Sequence, residues 1–142
     1  MEAGQGSWTG WCDGCALPNP GRMAVGGVLC GPDGSRHEIS RTTGRTGCNN
    51  EAEILALQHL LEFALECGVR RLRVFSDSDL VVRVVPDLAS GEARRLAVHF
   101  DEVRKLMPCF EQLELRWLPQ HRNRDADELS RQALGLPRRQ GV

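Results

Sequence analysis

The segment at residues 51–67 constrains the fold more than any other part of this 142-residue chain. Its apolar residues recur at steps of three and four, the spacing that places them on one face of an α-helix. They are Ile54, Leu57, Leu60, Leu61, Ala64 and Leu65. Gly68 follows, and glycine favours the backbone conformation in which helices commonly end. The pattern predicts a long amphipathic helix whose apolar face packs on another element.

Strand-like segments lie on both sides of this helix. Apolar runs or apolar–polar alternation separated by turn residues predict five strands, at residues 8–12, 23–30, 37–42, 71–76 and 113–118. Three more helices are predicted, at residues 79–85, 92–106 and 125–134. This order predicts an α/β fold in which one mixed sheet carries helices on its faces.

Length and composition fit one globular domain, with a core at about residues 8–134 and a loose tail at 135–142. No apolar run approaches the roughly 20 residues that cross a bilayer. Residues 1–7 lack the basic and apolar regions of a secretory signal, so the cytoplasm is the expected location. The net charge of −1 is evidence against nucleic-acid binding, although the local potential matters more than the sum.

Six cysteines raise the question of a redox or zinc protein. Cys12 and Cys15 form a CxxC pair, which both classes use. A zinc site normally needs a second matched pair, and this sequence has none. In a strand the two side chains would also point to opposite faces. Buried free thiols in a reducing cytosol are the favoured interpretation.

Two acids lie next to predicted strands, where a phosphodiester hydrolase could use them to hold metal ions. Asp13 closes the first strand and starts a loop with Gly14, so it is either a turn residue or a ligand. Asp77 follows the strand at 71–76, and ligand sites favour the carboxyl ends of strands. Asp79 suits a helix cap, and the choice within this pair stays open.

Glu53 is an acid on the apolar face of the long helix. It projects within about 40° of Leu57 and about 20° of Leu60, whereas Glu51 projects about 160° away on the polar side. A buried acid costs several kcal/mol unless it is paired or binds metal. A functional role for Glu53 is therefore favoured over a contribution to the helix dipole alone.

The last predicted helix begins with two candidate acids. Asp125 with Glu128 fits a capping box, which gives Asp125 a structural role. Asp127 then has no such role beyond a favourable position in the helix dipole. The helical wheel does not discriminate between them, and local sequence leaves Asp125 and Asp127 as alternatives.

These segments together resemble the type 1 ribonuclease H family. The matching stretches, in the family's order, are Asp13-Gly14 with Asn19-Pro20-Gly21, then Asn49-Asn50-Glu51-Ala52-Glu53, then Ser76-Asp77-Ser78, and finally Asn123 with Ala126-Asp127-Glu128-Leu129. Each motif alone is weak, but four in order with consistent elements between them are specific. The likeness spans roughly residues 8–134.

The resemblance implies a five-stranded mixed sheet flanked by helices and an endoribonuclease acting on RNA–DNA hybrids. It implies that Asp13, Glu53, Asp77 and Asp127 bind two Mg²⁺ ions, with Mn²⁺ as a substitute. Water would attack the RNA strand and leave 5′-phosphate and 3′-hydroxyl ends. A monomer is the state the family suggests.

The resemblance also implies residues that hold the hybrid. Asn19, Asn49, Asn50 and the backbone of Gly14 match family positions at the minor groove, where 2′-hydroxyls distinguish RNA from DNA. Alternatively, Asn19 is a turn residue, and one of the two consecutive asparagines caps the long helix. Cys48 stands where many members carry a threonine that helps to hold a DNA-strand phosphate.

Three features qualify the resemblance. Leu88 lies near the position of a tryptophan that some members use in a DNA-strand channel. Residues 84–106 lack the dense basic handle of some bacterial members, which places the chain with the compact branch. His121 matches a mobile histidine that assists product release or proton transfer, or it is an ordinary surface histidine.

Two rival functions remain within this fold. A nucleic-acid-binding module without catalysis is one, but the presence of all four acids favours an enzyme. A DNA nuclease of the same fold is the other. Proofreading-type exonucleases typically open with Asp-x-Glu, whereas Asp13 is followed by Gly14 and Cys15.

Overall fold

A five-stranded mixed sheet forms the centre of the protein, as seen in a computed structural model that describes residues 6–84 and 96–137. The strands are β1 (Ser7–Leu17), β2 (Gly21–Cys30), β3 (Arg36–Gly47), β4 (Arg71–Ser76) and β5 (Gln112–Trp117), and their order across the sheet is β3-β2-β1-β4-β5. The first three form an antiparallel meander, while β4 runs parallel to β1 and β5 parallel to β4. The predicted fold class is confirmed.

Helices cover both faces of the sheet. Among the described residues the α-helices are α1 (Asn49–Glu66), α2 (Ala97–Leu106) and α3 (Arg124–Ala133), and a π-helical turn lies at Leu80–Val84. Gly14 of β1 packs directly against the backbone of α1, and Gly26 of β2 packs against the backbone of α3. Asp13 pairs with Gly26 across the strands, so neighbouring β1 residues face opposite helices. No helix in these described ranges has the length and apolarity that crossing a bilayer would require.

The core lies between α1 and the sheet. Ile54, Leu57, Leu60 and Leu61 are each 0% exposed, and each such burial contributes about 1.5–3 kcal/mol. Phe100 from α2 extends this core. The helix ends where the sequence predicts, because Gly68 takes a positive φ of 79°.

The beginning of α1 differs from the prediction. The helix starts at Asn49, and the residue that caps it is Cys48, not one of the two asparagines. A Glu51 side-chain oxygen accepts a hydrogen bond from the Cys48 backbone N–H at 3.3 Å. That carboxylate also lies 3.1 Å from Nε2 of His99 on α2, so Glu51 is partly buried and paired. The sequence placed Glu51 on the polar side of α1 but did not reveal that α2 covers part of this side and supplies His99 as a partner.

The first strand is longer than predicted, and Asp13 does not start a loop. Pairing with β4 stops at Trp11, but pairing with β2 continues from Asp13 to Leu17. Antiparallel pairing with β2 satisfies the backbone hydrogen-bonding groups at Asp13 and Gly14. The turn forms later in the chain, between Leu17 and Gly21. Asp13 is therefore held on a rigid strand.

The capping box predicted at Asp125 is absent. Asn123 occupies the N-cap position of α3, without a side-chain capping bond, and Asp125 lies in the first turn. Its carboxylate instead pairs with Arg36 of β3 at 3.0 Å. The partner comes from 89 positions away in the sequence, which local spacing could not reveal.

Several predicted segments include residues outside the ranges that the structure describes. Residues 85, 92–95 and 138–142, together with Leu88, lie outside the described residues. Residues 135–137, where a loose tail was predicted to begin, fold back on α3. There Nη2 of Arg131 donates to the Pro137 carbonyl at 3.1 Å.

Candidate active site

Three acids from separate elements meet at one edge of the sheet. Asp13 lies on β1 just beyond its pairing with β4, and Asp77 directly follows β4. Because β1 and β4 are parallel neighbours, these two positions are adjacent in space. Glu53 joins them from the first turns of α1, and one ligand oxygen from each acid lies within 4.8 Å of the others.

Asp127 of α3 is the fourth member of this group. It is 5% exposed, and its carboxyl hydrogen-bonds to that of Asp13. The rival acids lie elsewhere: Asp79 is exposed and pairs with Arg83 at 3.4 Å, and Asp125 points outward to Arg36. The structure thus brings together the four acids named by the resemblance and separates them from their neighbours in sequence.

Crowding and burial oppose ionisation of these acids. Burial raises the pKa of Asp13 well above its usual range, and Asp77, Asp127 and Glu53 raise it further. Burial and the Asp77 charge raise the pKa of Glu53 to about 7, although a hydrogen bond with Ser78 acts in the opposite direction. Buried like charges are expected to behave in this way.

The donor chemistry of the group fits divalent cations. Carboxylate oxygens are the hard ligands that Mg²⁺ and Mn²⁺ take. Within the described ranges, no arginine, lysine or histidine forms an ion pair with Asp13 or Glu53. Bound cations would offset the repulsion that raises the two pKa values.

Two side chains that the sequence did not single out for this role hold Asp77 in place. The Nδ2 group of Asn123 donates to the Cys12 carbonyl at 2.9 Å and to Oδ2 of Asp77 at 3.4 Å. The Trp117 indole N–H donates to the Asp77 carbonyl at 3.2 Å, while the ring is 53% exposed. The sequence named Asn123 only as part of a family motif. No pattern in the residues around Trp117 distinguishes it from a tryptophan of the core.

The sequence and fold are similar to those of known proteins. A family model described as "Reverse transcriptase-like" matches residues 11–133. A curated relative, Ribonuclease HI of Halobacterium salinarum, is 35% identical over 126 residues, which are 86% of this chain and 61% of the relative. This chain therefore spans about three fifths of that relative's length. The crystal structure of RNase H1 from the same archaeon superposes with a TM-score of 0.85 at 31% identity, covering 92% of this chain and 98% of that one.

The chain belongs to the type 1 ribonuclease H family. A further member, LC11-RNase H1, was isolated from compost by a metagenomic approach and has been solved in complex with an RNA/DNA hybrid. That structure superposes with a TM-score of 0.80 at 28% identity and covers 90% of this chain and 96% of its own.

In this ribonuclease H family member, the asparagines named for substrate binding also join two elements. Oδ1 of Asn19 accepts a hydrogen bond from the Asn49 N–H at 3.0 Å, and Oδ1 of Asn49 accepts one from the Ala16 N–H at 2.8 Å. Both asparagines are exposed, and Asn50 beside them is half-buried. These bonds attach the β1–β2 turn to the start of α1, next to Glu53.

Gly14, Cys48 and His121 occupy different settings. Gly14 is buried, and a Cβ added there would lie 2.7 Å from the Glu53 backbone nitrogen and closer still to the Ala52 carbonyl. Cys48 is half-buried at the start of α1. His121 is exposed on the 3₁₀ turn Gln120–Arg122, which leads into α3, so it lies outside the buried group of acids.

Proposed function

We propose that this protein is an endoribonuclease that hydrolyses the RNA strand of RNA–DNA hybrids with divalent metal ions. The observation that carries the proposal is the meeting of Asp13, Glu53, Asp77 and Asp127 at one edge of a ribonuclease H sheet. The hybrid bound to LC11-RNase H1 supports the substrate class.

The four acids are the proposed metal ligands. Two Mg²⁺ ions, or Mn²⁺ in their place, would supply activation of a water molecule and stabilisation of the leaving oxygen. Asp13 and Asp77 are held on or directly after strands, and Asn123 fixes the orientation of the Asp77 carboxylate. The water oxygen becomes part of a 5′-phosphate, the P–O3′ bond breaks, and O3′ leaves with a proton.

The start of α1 and the β1–β2 turn are the proposed contact for the hybrid. The bonds that join Asn19 and Asn49 use Oδ1, so each Nδ2 group is left as a donor for minor-groove acceptors and 2′-hydroxyls. Asn50 extends this surface, while Gly14 lets α1 approach β1 so that Glu53 reaches Asp13. Cys48 would offer a phosphate only a weak thiol donor.

His121 is proposed to assist product release or proton transfer from its exposed turn. From this exposed turn it would act on the bound substrate without joining the buried acids. His121→Ala is expected to lower kcat with little change in KM or stability. An unchanged kcat across the pH range around neutrality would identify it as an ordinary surface histidine.

The compartment and oligomeric state are also proposals. All six cysteines are free thiols, which suits a reducing cytoplasm. The expectation that they are buried is correct only for Cys12, since four others are partly exposed and Cys109 is exposed. A monomer is proposed because the acids of the site all come from one chain. Light scattering on the purified protein would show a single mass of 15.8 kDa, and a dimer would contradict the proposal.

The experiment that tests the function uses an end-labelled RNA–DNA hybrid with Mg²⁺, Mn²⁺ or EDTA, beside RNA and DNA duplexes. We expect metal-dependent cleavage of the RNA strand of the hybrid alone. Asp77→Asn is expected to abolish it, while Asp125→Asn, the same change at an outward-facing acid, leaves it nearly intact. Binding without cleavage under both metals would indicate a silent binding module, and cleavage of DNA would indicate a DNA nuclease.

A further inference from the structure

A cavity of about 330 Å³ lies on the α3 side of the sheet, at the beginning of that helix. Trp11 of β1 and Val28 of β2 border it from the sheet, and Asn123 and Ala126 border it from α3. Ligand pockets in proteins span roughly 300–1,000 Å³, so this one has room for a single small ligand. It is distinct from the proposed hybrid surface, which lies at the start of α1.

Arginines dominate the charge around this cavity. Arg36, Arg122 and Arg124 line it, together with Asp125. Arg36 is paired with Glu38 and Asp125, each at 3.0 Å. Arg122 and Arg124 are exposed, and neither is paired with an acid in the part of the chain that the structure describes. Guanidinium groups bind phosphate through paired N–H donors, so these two favour a phosphorylated ligand.

The first turn of α3 adds to the attraction for an anion. The helix has 10 residues, and no side chain caps its N-terminus. Backbone N–H groups at such an end are unsatisfied and carry the positive end of the helix dipole. Since the first-turn residues Arg124, Asp125 and Ala126 all line the cavity, a phosphate inside it would meet these groups.

Asn123 provides an unused acceptor at the same place. Its side chain is 1% exposed, and Nδ2 is committed to Cys12 and Asp77. Oδ1 is buried and has no hydrogen-bond partner among the described residues. Buried polar atoms are rarely left unpaired, so a ligand that carries an N–H group would satisfy it.

Trp11 adds an aromatic side chain to the lining of the cavity. Its indole stacks on Phe75 of β4, with ring centroids 5.9 Å apart and an interplanar angle of 22°. Phe75 supports the ring, while Trp11 itself borders the cavity. Nucleobases stack on aromatic side chains of this kind regardless of sequence.

We propose that this cavity binds a nucleoside 5′-phosphate. The phosphate contacts Arg122, Arg124 and the first turn of α3, the base stacks on Trp11, and an amino group of the base donates to Asn123. The inference does not rest on the proposed catalysis, because binding is measured without metal and without hybrid.

The test is titration of ¹⁵N-labelled protein in EDTA with adenosine 5′-monophosphate, adenosine and inorganic phosphate in separate arms. EDTA keeps the four acids free of metal, so that the negative cluster repels the phosphate. We expect saturable shifts at the Trp11 indole N–H and at the amides of residues 124–126 with adenosine 5′-monophosphate. The same signals should respond more weakly to the other two compounds.

Arg122→Ala with Arg124→Ala should weaken Kd about tenfold or more, which equals about 1.4 kcal/mol per tenfold change. Arg70→Ala, a loss of charge just before β4 and at the opposite end of that strand from Asp77, should leave Kd unchanged. All three arginines are exposed, so neither variant should disturb the fold, and the dispersion of the amide spectrum will check this. The proposal is overturned if inorganic phosphate binds as tightly as the nucleotide, if the shifts map to the start of α1, or if Arg70→Ala weakens binding equally.

Discussion

Glu53 offers the most direct test of the acid group, because its charge can be removed without changing the shape of its side chain. Burial and the nearby Asp77 raise its pKa to about 7. We expect metal-free Glu53→Gln to be more stable than the wild type above pH 7, and to have lost hybrid cleavage. Replacing a residue that serves function at the expense of stability is expected to raise stability and to lower activity.

The magnitude follows from the two pKa values. In an unfolded chain the carboxyl titrates near 4.5, against about 7 in the folded protein. At about 1.4 kcal/mol per pKa unit, and allowing for partial exposure, ionising Glu53 costs the folded protein about 2–3 kcal/mol. Between pH 4.5 and pH 7, Glu53 keeps its proton in the folded state, whereas the unfolded chain has released it. The contribution of Glu53 to stability is therefore greatest below pH 4.5, falls as the pH rises through this window, and stays low above pH 7.

The assay is urea unfolding of both proteins in EDTA at about pH 5 and about pH 8, with the free energy of unfolding extrapolated to water. The advantage of Glu53→Gln should be about 2 kcal/mol larger at the higher pH, since part of the transition is already complete near pH 5. Glu62→Gln, an exposed glutamate on the same helix, should show no such difference. A stability gap that does not change with pH, or normal cleavage by Glu53→Gln, would refute the reasoning.

Three further predictions concern the frame around the acids. Asp13→Asn should abolish hybrid cleavage in the gel assay without lowering the free energy of unfolding, and normal turnover would contradict its role. Gly14→Ala should slow cleavage about 100-fold, because α1 must move away from β1. Gly27→Ala, whose added Cβ would meet no atom closer than 3.3 Å, is the matched control and should change cleavage only a few-fold. His99→Ala should lower the free energy of unfolding, measured with urea, by about 1–3 kcal/mol, because Glu51 loses its partner at 3.1 Å. An unchanged free energy of unfolding would show that this pair does not stabilise the packing of α2 on α1.

The periodicity of apolar residues was sufficient to predict the main helices and strands. The apolar repeat of α1 and Gly68 at its end are properties of neighbouring residues, and the structure confirms both. The order of strands and helices predicted the mixed sheet in the same way. The apolar position of Glu53 on its helix marked it before any tertiary information, because an acid on a core-facing stripe needs a compensating partner.

Choices between neighbouring acids depended on distant residues. Asp77 and Asp79 are two positions apart, and so are Asp125 and Asp127, so propensity and helix geometry could not separate them. The parallel pairing of β1 with β4 places Asp77 beside Asp13, and the packing of α3 on β2 turns Asp127 inward. The resemblance to the family had already named Asp77 and Asp127. Only the structure showed that the alternatives Asp79 and Asp125 pair with Arg83 and Arg36.

The sequence by itself determined which segments form strands and helices, because hydrophobic periodicity and backbone preferences act over a few residues. Only the tertiary structure decided that Asp13 lies within a strand, that Cys48 caps α1, and that Asn123 joins Asp77 to a cavity beside Trp11. Each of these depends on pairing or packing between residues far apart in the chain. Such contacts form when the sheet and helices assemble, and the energies that select them are absent from any local window of sequence.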